Sequence, residues 1–429
     1  MPPVCDQTAQ GSGVHAPFSE RLYAFAQARP GRARSTAVWL LAAAQTIGYA
    51  CLHYLFAGLL FSWETTLGWA KAELTLGITA TLIVAAFASP VAGGQIDAGR
   101  ARWTMPGGML LGALAIGSLS LVASQPAFVL VWALVGIAQA LSLYDSCFAF
   151  LTRTMGDGAK AAIGRVTIVA GFASTLTFPS AAALEGLLGW RATTLVFAAV
   201  AASIGAPLLY AGTTLLECCP PRQNRSAART KRRGDLHSAL RSPAFWFLAG
   251  AFLLIATGEG LILNHIVPLF VASGATEAIA VAAASLFGPM QVAGRLALLA
   301  DRRQRNALSV TLLAFCGIAV AIAVLQIVGR HVAIPFVFAV LFGSCFGVIG
   351  IIKPLVIAET LGRSSFGAIS GALAVPVLIA FALGPTLGSV LWERGGYTSA
   401  TRLALVLAVL ACAAIAVLAA IRQRQATRD

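Results

Sequence analysis

Charge is what this sequence has least of. Only 11% of its 429 residues are Asp, Glu, Lys or Arg, while 58% are hydrophobic and the mean hydropathy is +0.83. A soluble domain carries about 25% charged and about 45–50% apolar residues. So few charges cannot cover a water-soluble fold of this size, so the composition places the chain in a membrane. Acids are the scarcer sign, 16 against 30 Lys and Arg, for a net charge of +14. In a soluble chain that excess would suggest a nucleic-acid surface. In a membrane chain it marks the cytoplasmic side, so no nucleic-acid partner is expected.

Catalytic signatures are missing too. There is no Walker loop ending in GK[ST], no HExxH and no GxSxG, which excludes ATP-driven transport by this chain and the common hydrolase chemistries. No enzyme activity and no cofactor are expected. Most of the eight cysteines fall in apolar runs, where a thiol behaves as a small hydrophobe. Cys218 and Cys219 are adjacent, which is not a zinc spacing, and no disulfide framework is implied. About 37 polar residues precede the first apolar run, which is itself too long for a signal-peptide core. In that leader Phe18, Leu22 and Phe25 recur at helical spacing beside Arg21 and Arg29. A plain tail is the first reading there and a short interfacial helix the second.

What is present is apolar length. Segments able to cross a bilayer core of about 30 Å, which takes roughly 20 residues, recur at 38–61, 75–94, 104–123, 127–151, 164–184 and 193–215. After a break they recur at 243–270, 276–299, 307–328, 333–358, 367–391 and 402–421. The break is Glu217–Arg241, with seven cations (Arg222, Arg225, Arg229, Lys231, Arg232, Arg233 and Arg241) against Glu217 and Asp235. With the N-terminus inside, 23 Lys and Arg lie on the cytoplasmic side and 5 outside. By the positive-inside rule both termini and the central stretch are cytoplasmic. The organisation expected is a tail 1–37, a six-helix bundle 38–215, a basic linker 216–242, a second bundle 243–421 and a tail 422–429.

The halves echo each other. Gly93-Gly94-Gln95-Ile96-Asp97-Ala98-Gly99-Arg100-Ala101-Arg102 follows the second segment, and Ala300-Asp301-Arg302-Arg303-Gln304-Arg305 follows the eighth. An acid followed by cations at the same inner loop of each half is a parallel-repeat signature. This layout resembles the major facilitator superfamily. Gly93, Asp97 and Arg102 match its loop motif, whereas Ala98 stands in place of a cation and Arg100 in place of a glycine. The stretch from Leu67 to Asp97, with Gly68-Trp69 leading into the second segment, resembles the bacterial monocarboxylate-porter-like and oxalate/formate-antiporter-like branch; Gly189-Trp190-Arg191 before the sixth is frequent there too. The resemblance implies an all-α membrane protein of 12 transmembrane helices in two pseudo-symmetric six-helix bundles. It also implies a monomer in the bacterial inner membrane and a small-molecule substrate.

Ionisable groups inside spans cost on the order of 2.5–3.5 kcal/mol each, so they are functional candidates. Here they are Asp145, Glu259, Arg295 and Lys353, with His53 and His265. Asp145 and Lys353 fall at equivalent depths in the fourth and tenth segments, which in the superfamily meet at the inner gate. A gating ion pair is the first reading, with Asp145 pairing inside its own half, or Lys353 snorkelling to the interface, as alternatives. Arg295 presents a fork suited to a carboxylate, and in the monocarboxylate-like branch an eighth-helix arginine is associated with the substrate anion; pairing with Asp301 as a gate is the alternative. Glu259 and His53 are candidate proton carriers, or else members of packed polar pairs. Lys353, Asn264, His265 and Tyr54 are further candidate substrate contacts. Asp97, Arg102 and Asp301 are candidate gate residues, Asp97 by pairing with a cation or capping a helix start. The function expected is alternating-access transport of a small organic solute, an organic anion or monocarboxylate by preference, coupled to protons or to exchange. The alternatives are efflux of drugs or arsenicals, and a non-transporting receptor or assembly partner.

Overall fold

The computed structural model describes residues 18–219, 236–263, 265–272, 274–301, 306–327, 333–363 and 365–426. All regular structure among the described residues is helical. Eleven helices among the described residues are long and apolar enough to cross a membrane. One of them, Ala159–Cys218, has 60 residues, about 90 Å at about 1.5 Å per residue, roughly three times the hydrocarbon thickness. Gly189 breaks it, with φ 76° and ψ 164°, a conformation open to glycine because it has no Cβ. Twelve spans result. Spans 1 to 4 are Pro30–Leu67, Glu73–Asp97, Ala101–Leu121 and Gln125–Met155. Spans 5 and 6 are 159–188 and 190–218. Spans 7 to 12 are Pro243–Leu263, Ala278–Ala300, Ala307–Gln326, Ile334–Leu361, Phe366–Gly384 and Arg394–Arg424.

Spans 1–6 and 7–12 form two bundles with matching internal packing. Span 4 packs on spans 2 and 3 as span 10 packs on spans 8 and 9. Span 2 meets span 11 across the interface, and span 5 meets span 8. An even number of crossings puts both chain ends and the linker ends on one face, called here the terminal face. On that face residues Phe18–Ala28 form a helix, where a tail was the first expectation. Gln27 Nε2 donates to Cys218 O at 3.1 Å and Ala26 is buried, so this helix is tied to the end of span 6.

Candidate functional site

Two spans of the first bundle are irregular at the same depth, and each repairs the other. Span 1 widens into a π-turn over Tyr49–Tyr54. Span 4 breaks at Leu143, whose ψ of −157° is not helical. Such irregularities free backbone groups that cannot stay unpaired away from water. Gln139 Nε2 of span 4 donates to Leu52 O at 2.8 Å, and Thr177 Oγ1 of span 5 to Ala50 O at 3.3 Å. In return Gln45 Nε2 of span 1 donates to Ser142 O at 2.7 Å. Ser146 Oγ donates to Ala140 O at 2.7 Å.

The π-turn decides which side chains share a face. Residues five apart diverge on an α-helix, whereas a wider turn brings them together. The Tyr49 ring is therefore near both His53, at 5.7 Å between centroids, and Tyr54, at 6.4 Å. Tyr144 of span 4 packs on Tyr49 at 4.3 Å and stacks on Phe148 at 4.7 Å; Phe178 of span 5 adjoins Tyr54 at 6.2 Å. Replacing Gln139 by leucine leaves Leu52 O without its donor, and a buried unsatisfied carbonyl costs about 1–3 kcal/mol. We expect the variant to melt several degrees below wild type in detergent, as read by size-exclusion chromatography after heating. An unchanged melting point would mean that the two irregular spans are held together by something else.

Across from this wall stands Arg295 of span 8, only 9% exposed. Its Nη1 donates to Thr167 O of span 5 at 2.8 Å and its Nη2 to Gln291 Oε1 at 3.2 Å, while Nε has no partner. Asp301 is not among its partners, so the arginine is not the cation of that gate. The guanidinium lies within electrostatic reach of the Tyr54 and Tyr144 hydroxyls. Lys353 of span 10 does find an acid: its Nζ is 3.9 Å from Asp145 Oδ1 of span 4. This pair crosses between the halves beside Tyr144.

Closer to the terminal face, Asp97 caps the start of span 11. Its Oδ1 accepts from Gly367 N and its Oδ2 from Ala368 N, both at 2.9 Å. The cation beside Asp97 is Arg153, from the end of span 4, which also donates to Ile96 O. Arg102 instead lies over the Trp103 ring at 5.6 Å and faces Glu217 at the end of span 6. Arg153 and Glu217 thus belong to this network, although the loop motif pointed only to Asp97 and Arg102. In the second bundle Glu359 Oε2 accepts from Ala307 N at 2.7 Å, capping span 9, while Arg422 donates to Glu359 O at 3.0 Å and to Thr360 O.

The remaining candidates lie elsewhere. Glu259 of span 7 is 2% exposed and its Oε1 has no hydrogen-bond partner. Its neighbours Gly258 and Gly260 press on Ala404 of span 12 and Gly384 of span 11, so the acid sits within the second bundle. His265 lies just past the same end of span 7, near Trp392 and Tyr397, each at 6.3 Å between ring centroids. Asn264 is outside the described residues. Phe338 and Phe342 are fully buried packing residues.

The described residues thus form twelve spans in two matched bundles, with a buried cation and an ion pair between them. A family model of the Major Facilitator Superfamily matches residues 38–375. The chain belongs to the Major Facilitator Superfamily. Two solved structures share the fold. One is the superfamily transporter FucP in the outward conformation, with a TM-score of 0.66 and 14% identity. The other is the E. coli fucose:proton symporter FucP carrying N162A, with a TM-score of 0.63 and 14% identity. Each alignment covers 88% of this chain and 97% of the other. No curated protein matches the chain. The superfamily chain is accordingly a multi-pass membrane transporter and not an enzyme.

Proposed function

We propose that this transporter carries a small organic anion, monocarboxylate-like in charge, between its two halves by alternating access. The observation that carries the reading is Arg295: a nearly buried guanidinium at the interface, bonded only to neutral groups, with one N–H unsatisfied. A buried cation without an acid is costly unless a ligand supplies the charge. Efflux of neutral or cationic drugs gives no reason to keep it there.

The roles follow from position. Arg295 holds the anion, with Tyr54 beside it. Asp145 and Lys353 form a gate pair that parts when the halves rock. Asp97, with Arg153, Glu217 and Arg102 nearby, latches the terminal face, which the excess of cations assigns to the cytoplasm of a bacterial inner-membrane protein. Asp301 stands at the equivalent loop of the second half. Glu259 and His53 are the proton carriers, and proton coupling agrees with the fucose:proton symporter of the same fold. His265 stands at the far-face entrance. The working unit is one chain.

Uptake by proteoliposomes tests this. An inward proton gradient is expected to drive accumulation of a labelled carboxylate by wild type, and Glu259→Gln is expected to remove the dependence on the gradient. If dyes are expelled while no carboxylate moves, the anion reading is wrong.

A further inference from the structure

We infer that the anion is aromatic: the site takes a planar ring bearing a carboxylate. This rests on the anion reading of Arg295 and adds what the opposite wall selects. That wall is made of rings, Tyr49, His53, Tyr54 and Tyr144, with Phe178 beside Tyr54. Neighbouring centroids are 4.3 to 6.4 Å apart, at angles from edge-on to tilted. Aromatic pairs favour such spacings in offset or edge-to-face geometry, so a further ring can join the array without rearranging it.

The carboxamide donors of the wall are occupied, which is what separates an aromatic acid from a sugar acid or a small hydroxy acid. Gln45 Nε2 donates to Ser142 O and Gln139 Nε2 to Leu52 O, and Asp145 faces Lys353. The π-turn and the break in span 4 consume the carboxamide donors that a polyol would need. A substrate hydroxyl bound at their expense would leave backbone carbonyls unpaired. Beside the Arg295 charge the wall offers ring surface and the hydroxyls of Tyr54 and Tyr144. An aromatic carboxylate uses all three: its ring meets the rings, and its oxygens meet the guanidinium and the phenols.

Purified full-length protein gives the test, with equilibrium binding of benzoate, phenylacetate, lactate and glucuronate. The aromatic acids are expected to bind at least about tenfold more tightly than lactate or glucuronate. Tyr54→Leu is expected to remove that preference, lowering benzoate affinity about tenfold more than lactate affinity, and Tyr54→Phe, which keeps the ring, to retain most of it. Lactate or glucuronate binding as tightly as benzoate, or Tyr54→Leu leaving the preference intact in a protein that still elutes as wild type, overturns the aromatic assignment alone. Wild type that binds none of the four overturns the anion reading, and this inference with it.

Discussion

A methyl group at Gly93 is expected to force the terminal face open. Span 2 and span 11 approach so closely there that a Cβ on Gly93 would sit 1.9 Å from Gly367 O and 2.2 Å from its carbon. No rotamer change relieves an overlap with backbone, so Gly93→Ala must move the helices apart. That movement also pulls Asp97 from Gly367 N and Ala368 N. Hydrogen bonds to a charged group contribute about 1.5–3 kcal/mol each. Losing two is of the size needed to invert a two-state equilibrium, about 5.5 kcal/mol for a change from 99:1 to 1:99. Spin labels at Arg100 and Arg363, in a background cleared of native cysteines, read the separation of the two spans. The variant should show the longer distance as its main population. Gly94 is the control one residue away: its Cβ would meet nothing within 4 Å, so Gly94→Ala should leave the distances of wild type unchanged. Equal distances in Gly93→Ala and wild type would show that this contact is not a latch.

Substitution of Arg295 by alanine should lower anion affinity by more than about 100-fold, the equivalent of two charge-assisted hydrogen bonds. Arg295→Lys should recover little of it, because an ammonium is a point charge and cannot reproduce the fork. The arginine also ties span 8 to span 5 through Thr167 O, so some loss of thermal stability will accompany the loss of binding. The lysine variant separates the two effects. It keeps the charge, and if it restores binding fully, the geometry assigned to the guanidinium is not what the ligand reads.

The architecture was legible in the sequence because a bilayer imposes length and polarity rules on every span. Six apolar segments, a basic break and six more correspond to the twelve spans. The edges moved where helices run beyond the bilayer: span 1 begins at Pro30, with Arg32 and Arg34 on its first turns. Single ionisable residues in apolar runs also stood out, and Arg295, Asp145 and Lys353 lie together at the interface of the halves. The aromatic wall did not show. Tyr144 and Phe178 look like ordinary span residues, and the π-turn that aligns Tyr49, His53 and Tyr54 leaves no mark in hydrophobic periodicity. Gln45 and Gln139 read as polar residues within spans, but their partners are backbone carbonyls freed by irregularities, and backbone geometry has no letter in the sequence. Arg153 and Glu217 were hidden for another reason: each ends its own span, and only packing brings them to Asp97 and Arg102. His265 lies two residues past Leu263, where the described part of span 7 ends.

Counterflow tests the central claim most directly, since it requires a single site that faces each side in turn. Proteoliposomes preloaded with an unlabelled carboxylate and diluted into its labelled form should show a transient overshoot of label with wild type and none with Arg295→Ala. No overshoot with wild type for any organic anion, or an undiminished one in the variant, would contradict the assignment of an anion carrier centred on Arg295.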